Sequence, residues 1–242
     1  MKKIILSVFV VIVLFIINLF FGNPISKFLV NNSADKYIEE NYGNLNLERD
    51  KTFYNFKDGY YNIRLQDKDS IDTKFVLSYD SFGRLKFDNF DDRLFNTFLR
   101  FEDEIRNYGK SLEKENNFDY KISLSILDSD NPRDGLKLDE KVDLKNFPLK
   151  VSAGVFGFSN NLTLEEEMKI LQELQKILDK ESFEISNYSI ILIPTEDKNE
   201  NGEAITWQNS LSVSDISPEI IRNGDINKLK DLYKMQTATT KN

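Results

Sequence analysis

Residues 4–21 read IILSVFVVIVLFIINLFF, eighteen positions of which only Ser7 and Asn18 are polar. As a helix rising about 1.5 Å per residue, the run spans roughly 27 Å, close to the hydrocarbon thickness of a bilayer. Lys2 and Lys3 precede it, and basic flanks stay on the cytoplasmic side, so the rest of the chain is expected to be exported. A cleaved signal peptide starts in the same way, but its apolar core is about 7–15 residues long and an A-x-A-like site follows. Here the run is longer, GNPISK follows it, and Pro24 would hinder a peptidase. The expectation is an uncleaved N-terminal transmembrane anchor over residues 1–23, single-pass, with its N-terminus cytoplasmic.

Among 242 residues there is no His and no Cys. That removes Ser-His-Asp and Cys-His triads, thiolate chemistry, disulfides, lipoprotein processing and Cys/His metal sites. Beyond residue 30 the chain carries 29 Lys and Arg against 40 Asp and Glu, a net charge of -11. Phosphate backbones repel such a body, and no basic stripe offsets the charge, so nucleic acid is not an expected partner.

The exported part alternates between two periodicities. Asn23-Pro24 is a cap followed by proline, the pattern of a helix start. Apolar residues at Ile25, Phe28, Leu29, Ala34, Tyr37, Ile38 and Tyr42 carry that helix to Gly43. No flexible linker separates it from the anchor. Residues 52–65, TFYNFKDGYYNIRL, then alternate about Asp58-Gly59, the strongest short hairpin signal in the chain. Residues 73–88 repeat the device around Asp80 to Gly83. One helix and a four-stranded meander follow, with Phe53, Phe56 or Tyr61, Ile63, Leu65, Phe75, Leu77, Leu85 and Phe87 expected beneath the helix.

Residues 91–116 are helical by pattern, with Leu94, Phe95, Phe98, Leu99, Phe101, Ile105 and Tyr108 on one stripe. Strands are expected at 119–127 and 147–158, and Thr163 with Glu166 opens a capping box for a helix reaching about Lys180. Residues 188–194 and 204–213 are expected to pair, and a final helix near Asp225 to Tyr233 precedes a frayed tail. The fold class is therefore α+β: two small domains of antiparallel sheet plus helix, over residues 24–117 and 118–236, and a disordered tail at 237–242.

Chemistry-bearing clusters are few. In DKNENGEAITWQ (197–208), Asp197, Asn199, Asn201, Gly202 and Glu203 fall on calcium-loop positions. The twelfth position, however, is Gln208 rather than a bidentate Glu, and the flanks read as strands, which favours a hairpin turning at Asn201-Gly202. The acidic loop DSDNPRDG (128–135) holds Asp128, Asp130 and Asp134 beside Arg133 and reads as a turn cluster. Asp88, Asp91 and Asp92 suit the N-terminus of the helix that follows. No cofactor and no metal site is expected.

Carboxylate pairs for hydrolysis need one desolvated member, and only Asp72 and Glu184 sit at strand edges where that is conceivable. The aromatics Tyr54, Tyr60, Tyr61, Tyr79 and Trp207 offer a recognition surface instead. Tyr60 and Tyr61 are adjacent on one strand, so one of them faces away from the helix-covered side. They are the candidate ligand or partner residues.

NPISKFL (23–29), ADKYIEENYGNLNLE (34–48), YNFKDGYYNIRL (54–65), SIDTKF (70–75) and FGRLKFDNFDDR (82–93) together resemble the N-terminal half of the YfjL-like proteins of low-GC Gram-positive bacteria. The resemblance covers residues 1–116 and continues less distinctly beyond. It implies an anchored, two-domain, exported architecture and no activity. The helix-then-meander order also looks like cystatin-like and PepSY-like folds, which bind or restrain other proteins. The function expected is a non-enzymatic, extracytoplasmic binding module, held to the membrane by residues 4–21 and binding a protein partner or a small ligand at the outer membrane surface. The alternative is a cell-envelope hydrolase using paired carboxylates.

Overall fold

A computed structural model describes residues 20–127 and 135–239, with Phe9 and Asn18. The expected anchor and the 128–135 cluster therefore lie almost wholly outside the described residues. Among the described residues, no helix is long and apolar enough to cross a membrane.

The chain forms two compact units, Met1–Thr97 with Leu136–Glu140, and Phe98–Gly135 with Lys141–Asn242. In the first, helix α1 (Pro24–Tyr42) starts as expected, the Asn23 side chain accepting from the Ile25 N–H at 2.8 Å. Strands β1 (Leu47–Arg49), β3 (Tyr60–Asp67), β4 (Lys74–Tyr79) and β5 (Leu85–Asp88) lie side by side in that order, and β2 (Phe53–Asn55) also pairs with β3. All pairings in this sheet are antiparallel. The sheet has five strands rather than four, β1 being a three-residue piece whose length is too short for alternation to reveal.

Val30, Ala34 and Tyr42 of α1 bury against Tyr61, Ile63, Leu65, Phe75, Leu77 and Tyr79. Removing this much apolar surface from water is the main stabilising term for the unit. Of the alternatives Phe56 and Tyr61, Tyr61 is the buried one; two of the other expected inward residues, Phe53 and Phe87, are exposed. For Phe87 the cause is a bulge. Tyr79 pairs with Leu85 and Ser78 with Phe87, so Lys86 is an extra residue that turns Phe87 to the opposite face. The first two turns of α1 also differ from the expectation, since Ser26 and Val30 point inward while Ile25, Phe28 and Leu29 face out.

Asp88 does more than begin a helix. Its Oδ2 accepts from the hydroxyls of Tyr37, at 2.9 Å, and Tyr42, tying β5 to the end of α1. Both tyrosines are held above their usual pKa, first by burial and then by this carboxylate. Asp91 and Asp92 occupy the first turn of the short 3-10 helix Phe90–Arg93.

Helix α2 (Leu94–Glu115) follows, and the border expected at residue 117 falls instead within its first turn. Asp72 explains why. Its Oδ2 accepts from Thr97 Oγ1 at 2.7 Å, its carbonyl accepts from Asn96 Nδ2 at 2.8 Å, and its N–H donates to Asp139 Oδ1 at 2.8 Å. The start of α2 and the segment at 136–140 are thus knotted to the β3–β4 loop.

In the second unit, β6 (Lys121–Ile126), β7 (Val151–Ser159), β8 (Ile185–Pro194) and β9 (Leu211–Ile216) lie in sequence order. The expectation of an antiparallel sheet is corrected at one pairing: β7 and β8 run parallel. Helix α3 (Leu164–Leu178) joins them as a crossover, returning the chain to the end where β7 began. Thr163 caps it as expected, its Oγ1 accepting from the Glu166 N–H at 3.2 Å, while the Glu166 carboxylate meets Asn161 Nδ2 at 3.4 Å rather than turning back to the Thr163 N–H. Only 211–213 of the expected partner segment 204–213 pair with β8.

Both edges of this sheet are closed by side chains. Glu113 and Glu102 of α2 accept from the N–H groups of Ile122 and Ile126, each at 2.7 Å. Gly109 permits that approach, because a Cβ there would stand 3.1 Å from the Ile122 carbonyl. At the other edge, Gln236 donates to the Ser214 carbonyl at 2.9 Å and accepts from its N–H at 3.1 Å. Gln236 belongs to the last helix, α5 (Ile226–Thr239), which follows the short α4 (Pro218–Arg222). The expected frayed tail therefore remains helical through Thr239. Such clamps occupy backbone groups that would otherwise template further strands.

Replacing Glu113 by Ala leaves the half-buried Ile122 N–H without its acceptor and should lower the unfolding free energy by about 1–3 kcal/mol in urea denaturation. Glu115→Ala, at the exposed end of the same helix, should change it by less than about 0.5 kcal/mol.

Candidate functional site

Alternation along β3 sends Tyr61, Ile63 and Leu65 beneath α1, and Tyr60, Asn62, Arg64 and Gln66 to the other face. The adjacent tyrosines therefore have different roles. Tyr61 is buried: its hydroxyl accepts from the Asn23 N–H at 2.7 Å, and its ring packs on Tyr54 at 4.9 Å. Tyr60 is half-exposed and meets Phe87 edge-on at 5.5 Å. Of the two candidates, Tyr60 alone is placed to meet a partner.

Around Tyr60, the outward residues form a continuous surface. The Arg64 guanidinium lies 4.9 Å from the centre of the Phe53 ring, a cation–π arrangement. Asn62 is buried although it faces outward, and its Oδ1 accepts from Ser78 Oγ at 2.5 Å. Beyond Arg64 the face deepens into a concavity of about 440 Å³ lined by Glu48, Asp50, Arg64, Gln66, Lys74 and Val76. Two carboxylates and two cations share this hollow with an apolar floor at Val76. Asn89 and Asn96 close its rim; Asn89 Oδ1 accepts from Val76 N–H at 2.6 Å and Asn96 Nδ2 donates to the Lys74 carbonyl at 2.8 Å. Such a surface combines charged, amide and aromatic groups.

The second unit carries its own aromatic cluster. Phe156 and Phe158 lie two apart on β7, on the face opposite the buried residues Val151, Ala153 and Val155. Trp207 lies 5.3 Å from Phe156 at a 34° interplanar angle, and the two flanking cations are Lys121, 5.5 Å from the Phe156 ring, and Lys198, 5.2 Å from Phe158. Trp207 was visible in the sequence, but its pairing with Phe156 depends on how the preceding loop folds. That loop is a hairpin. Asn199 Oδ1 accepts from the N–H groups of Asn201 and Glu203, both at 2.9 Å, and Gly202 takes φ +81° at the turn. The resemblance of 197–208 to a calcium loop thus reflects turn chemistry, with Asn199 satisfying its own backbone.

Among carboxylates, Asp72 is buried but serves the knot described above, while Glu184 is exposed. Glu184 lines an open depression of about 620 Å³ together with Asp179, Glu181, Glu219 and Arg222. There Glu181 accepts from the Tyr108 hydroxyl at 2.6 Å, a bond that pushes Tyr108 up to about 12. Asp179 lies 3.5 Å from Arg222. Glu167, in the first turn of α3, is desolvated as well. It is fully buried, neither oxygen meets a hydrogen-bond partner among the described residues, and burial pushes it up to about 8. In the sequence it is hidden in the run Glu165-Glu166-Glu167, which looks like an ordinary solvated acidic first turn.

Residues 1–89 match the YfjL-like N-terminal domain, and residues 104–230 match the YfjL-like C-terminal domain. The chain belongs to the YfjL-like family. The gap between the two matches contains the first turns of α2, where the units divide. No curated protein and no solved structure matches the chain.

Two measurements follow. Tyr61→Ala should cost about 3–5 kcal/mol of stability, as a buried aromatic truncation does, whereas Tyr60→Ala should cost under about 1 kcal/mol. Glu167 holds its proton more tightly folded than unfolded, so its contribution is complete below pH 4.5 and is lost as pH rises through about 8. The melting-temperature advantage of Glu167→Gln over the natural chain should therefore grow across that interval, by on the order of 5 °C. A difference independent of pH would show that the carboxyl is solvated.

Proposed function

We propose that this YfjL-like chain is a membrane-anchored, extracytoplasmic, non-enzymatic binding module. The observation that carries the reading is the open face of the first sheet. Helix α1 covers one side only, and the other presents Tyr60, Phe87, Phe53 and Arg64 beside a concavity of mixed charge. Rigid aromatic side chains with polar tips contribute large contact area at low entropic cost, which suits a protein partner. The order of helix then antiparallel meander is the arrangement we assign to cystatin-like or PepSY-like binding folds.

Membrane attachment rests on the eighteen-residue apolar run and its basic flank. The hydrolase alternative finds little support, because Asp72 is engaged in holding α2 and Glu184 stands exposed at an open rim. The net charge of -11 beyond residue 30 argues for a partner that is not a nucleic acid.

The test uses full-length protein in native membranes with a photo-crosslinking amino acid at Gln66. Defined cross-linked bands should appear, and Tyr60→Ala combined with Phe87→Ala should remove them without changing the melting temperature. The protein should also remain in the pellet through carbonate washing. Bands unaltered by the double substitution would overturn the binding surface, and mature protein in the medium would overturn the anchor.

A further inference from the structure

We infer that one end of the first unit is built to sit on the lipid surface, with the tips of two hairpins dipping into the headgroup layer. The inference rests on the anchored reading above and adds which surface faces the bilayer.

Register places the two hairpin turns at the same end of the sheet. Asn55 pairs with Tyr60 and Tyr61 with Tyr79, so the β2–β3 turn (56–59) and the β4–β5 turn (80–84) are neighbours. Helix α1 begins at that end as well. Asn23 bonds Tyr61 there, Phe20 lies 5.5 Å from Phe56, and a Cβ on Gly83 would come within 3.0 Å of the Leu29 carbonyl.

Each element presents large apolar side chains outward at this end. Phe82 is 72% exposed, Ile25 69%, Phe28 63% and Phe56 55%. Phe21 and Leu29 are exposed with them. An aqueous surface does not account for so many large apolar groups in one place, whereas isolated ones would need no explanation.

Two further observations identify the occupant as a bilayer. The apolar run 4–21 enters the unit at Phe20 and Phe21, so this end is where a membrane-spanning segment would emerge. The charge balance at this end is also basic. Lys27, Lys57, Arg84 and Lys86 lie near these apolar groups with two acids: Asp58 accepts from the Tyr60 N–H, and Asp80 accepts from the N–H groups of Phe82 and Arg84 and pairs with Arg84 at 2.7 Å and Lys86 at 3.4 Å, so four cations stand against two carboxylates. Towards the opposite end, Glu39, Glu40, Glu48, Asp67 and Asp69 lie with Lys36, which pairs with Glu40 at 3.7 Å, and with Lys68 and Lys74, so acids outnumber bases there. A basic, aromatic rim suits anionic headgroups, with apolar side chains reaching about 5–10 Å into the boundary.

The test is fluorescence of the full-length chain reconstituted in phosphatidylcholine–phosphatidylglycerol vesicles. In a Trp207→Phe background, Phe56→Trp and Phe82→Trp each supply a single reporter. Ile71→Trp, in the exposed loop at the other end of the sheet, is the control. Vesicle flotation establishes attachment, and brominated acyl chains quench tryptophans that reach lipid. The inference predicts co-flotation, blue-shifted emission and bromolipid quenching at 56 and 82, and neither shift nor quenching at 71. A chain that floats while both tip reporters emit as in water, or are blue-shifted but unquenched because protein covers them, overturns the seating and leaves the anchor intact. A chain that does not float overturns both.

Discussion

The hydrogen bond from the Asn23 N–H to the Tyr61 hydroxyl, beneath Gly22, is the point on which the first unit depends. Gly22 takes φ +73°, and a Cβ on it would come within 2.8 Å of both Tyr54 and Tyr61. A side chain would therefore be strained and also displaced by two rings. With Gly22 packed there, the helical turn at Phe20–Phe21 and the start of α1 are fixed against the β2–β3 hairpin. At the other end of α1, Tyr37 and Tyr42 grip Asp88. Between these clamps the helix covers one sheet face and leaves the other open. The same geometry sets both hairpin tips beside the entry of the N-terminal segment.

The local elements of the fold could be read from the sequence wherever a pattern and a stop signal coincide. Asn23-Pro24, Asp58-Gly59, Thr163 with Glu166 and the alternation from Lys121 to Ile126 all formed where expected. What escaped reading depends on contacts distant in sequence. Periodicity identifies β7 and β8 as strands but does not distinguish parallel from antiparallel pairing, which α3 decides by its length and return. Gln236 holds β9, and the helix that carries it continues through Thr239, past the expected start of a loose tail. A single bulge residue, Lys86, reversed Phe87.

The surface residues teach a related lesson. The rule that large apolar side chains face the core placed Ile25, Phe28 and Leu29 under the sheet, yet the buried positions of these turns are Ser26 and Val30. The rule presumes water on the outside. Where a bilayer is the neighbour, an outward phenylalanine is no longer anomalous. Of the tyrosine pair, alternation required one outward residue, but identifying it as Tyr60 needed the position of α1. Glu167 could not be singled out, since nothing in three consecutive glutamates tells which one the helix turns inward.

The central claim is that residues 20–22 are part of the first unit's rigid frame, so that the proposed anchor, continuous with them, would hold the unit in a fixed pose. The chain has no native cysteine, and Phe21→Cys with Lys68→Cys gives a unique pair for spin labels at opposite ends of the sheet. Electron–electron double resonance on the full-length protein in bilayers should give a single narrow distance distribution. A broad or multimodal distribution would contradict the account, because it would mean that the unit swings on a flexible joint at Gly22.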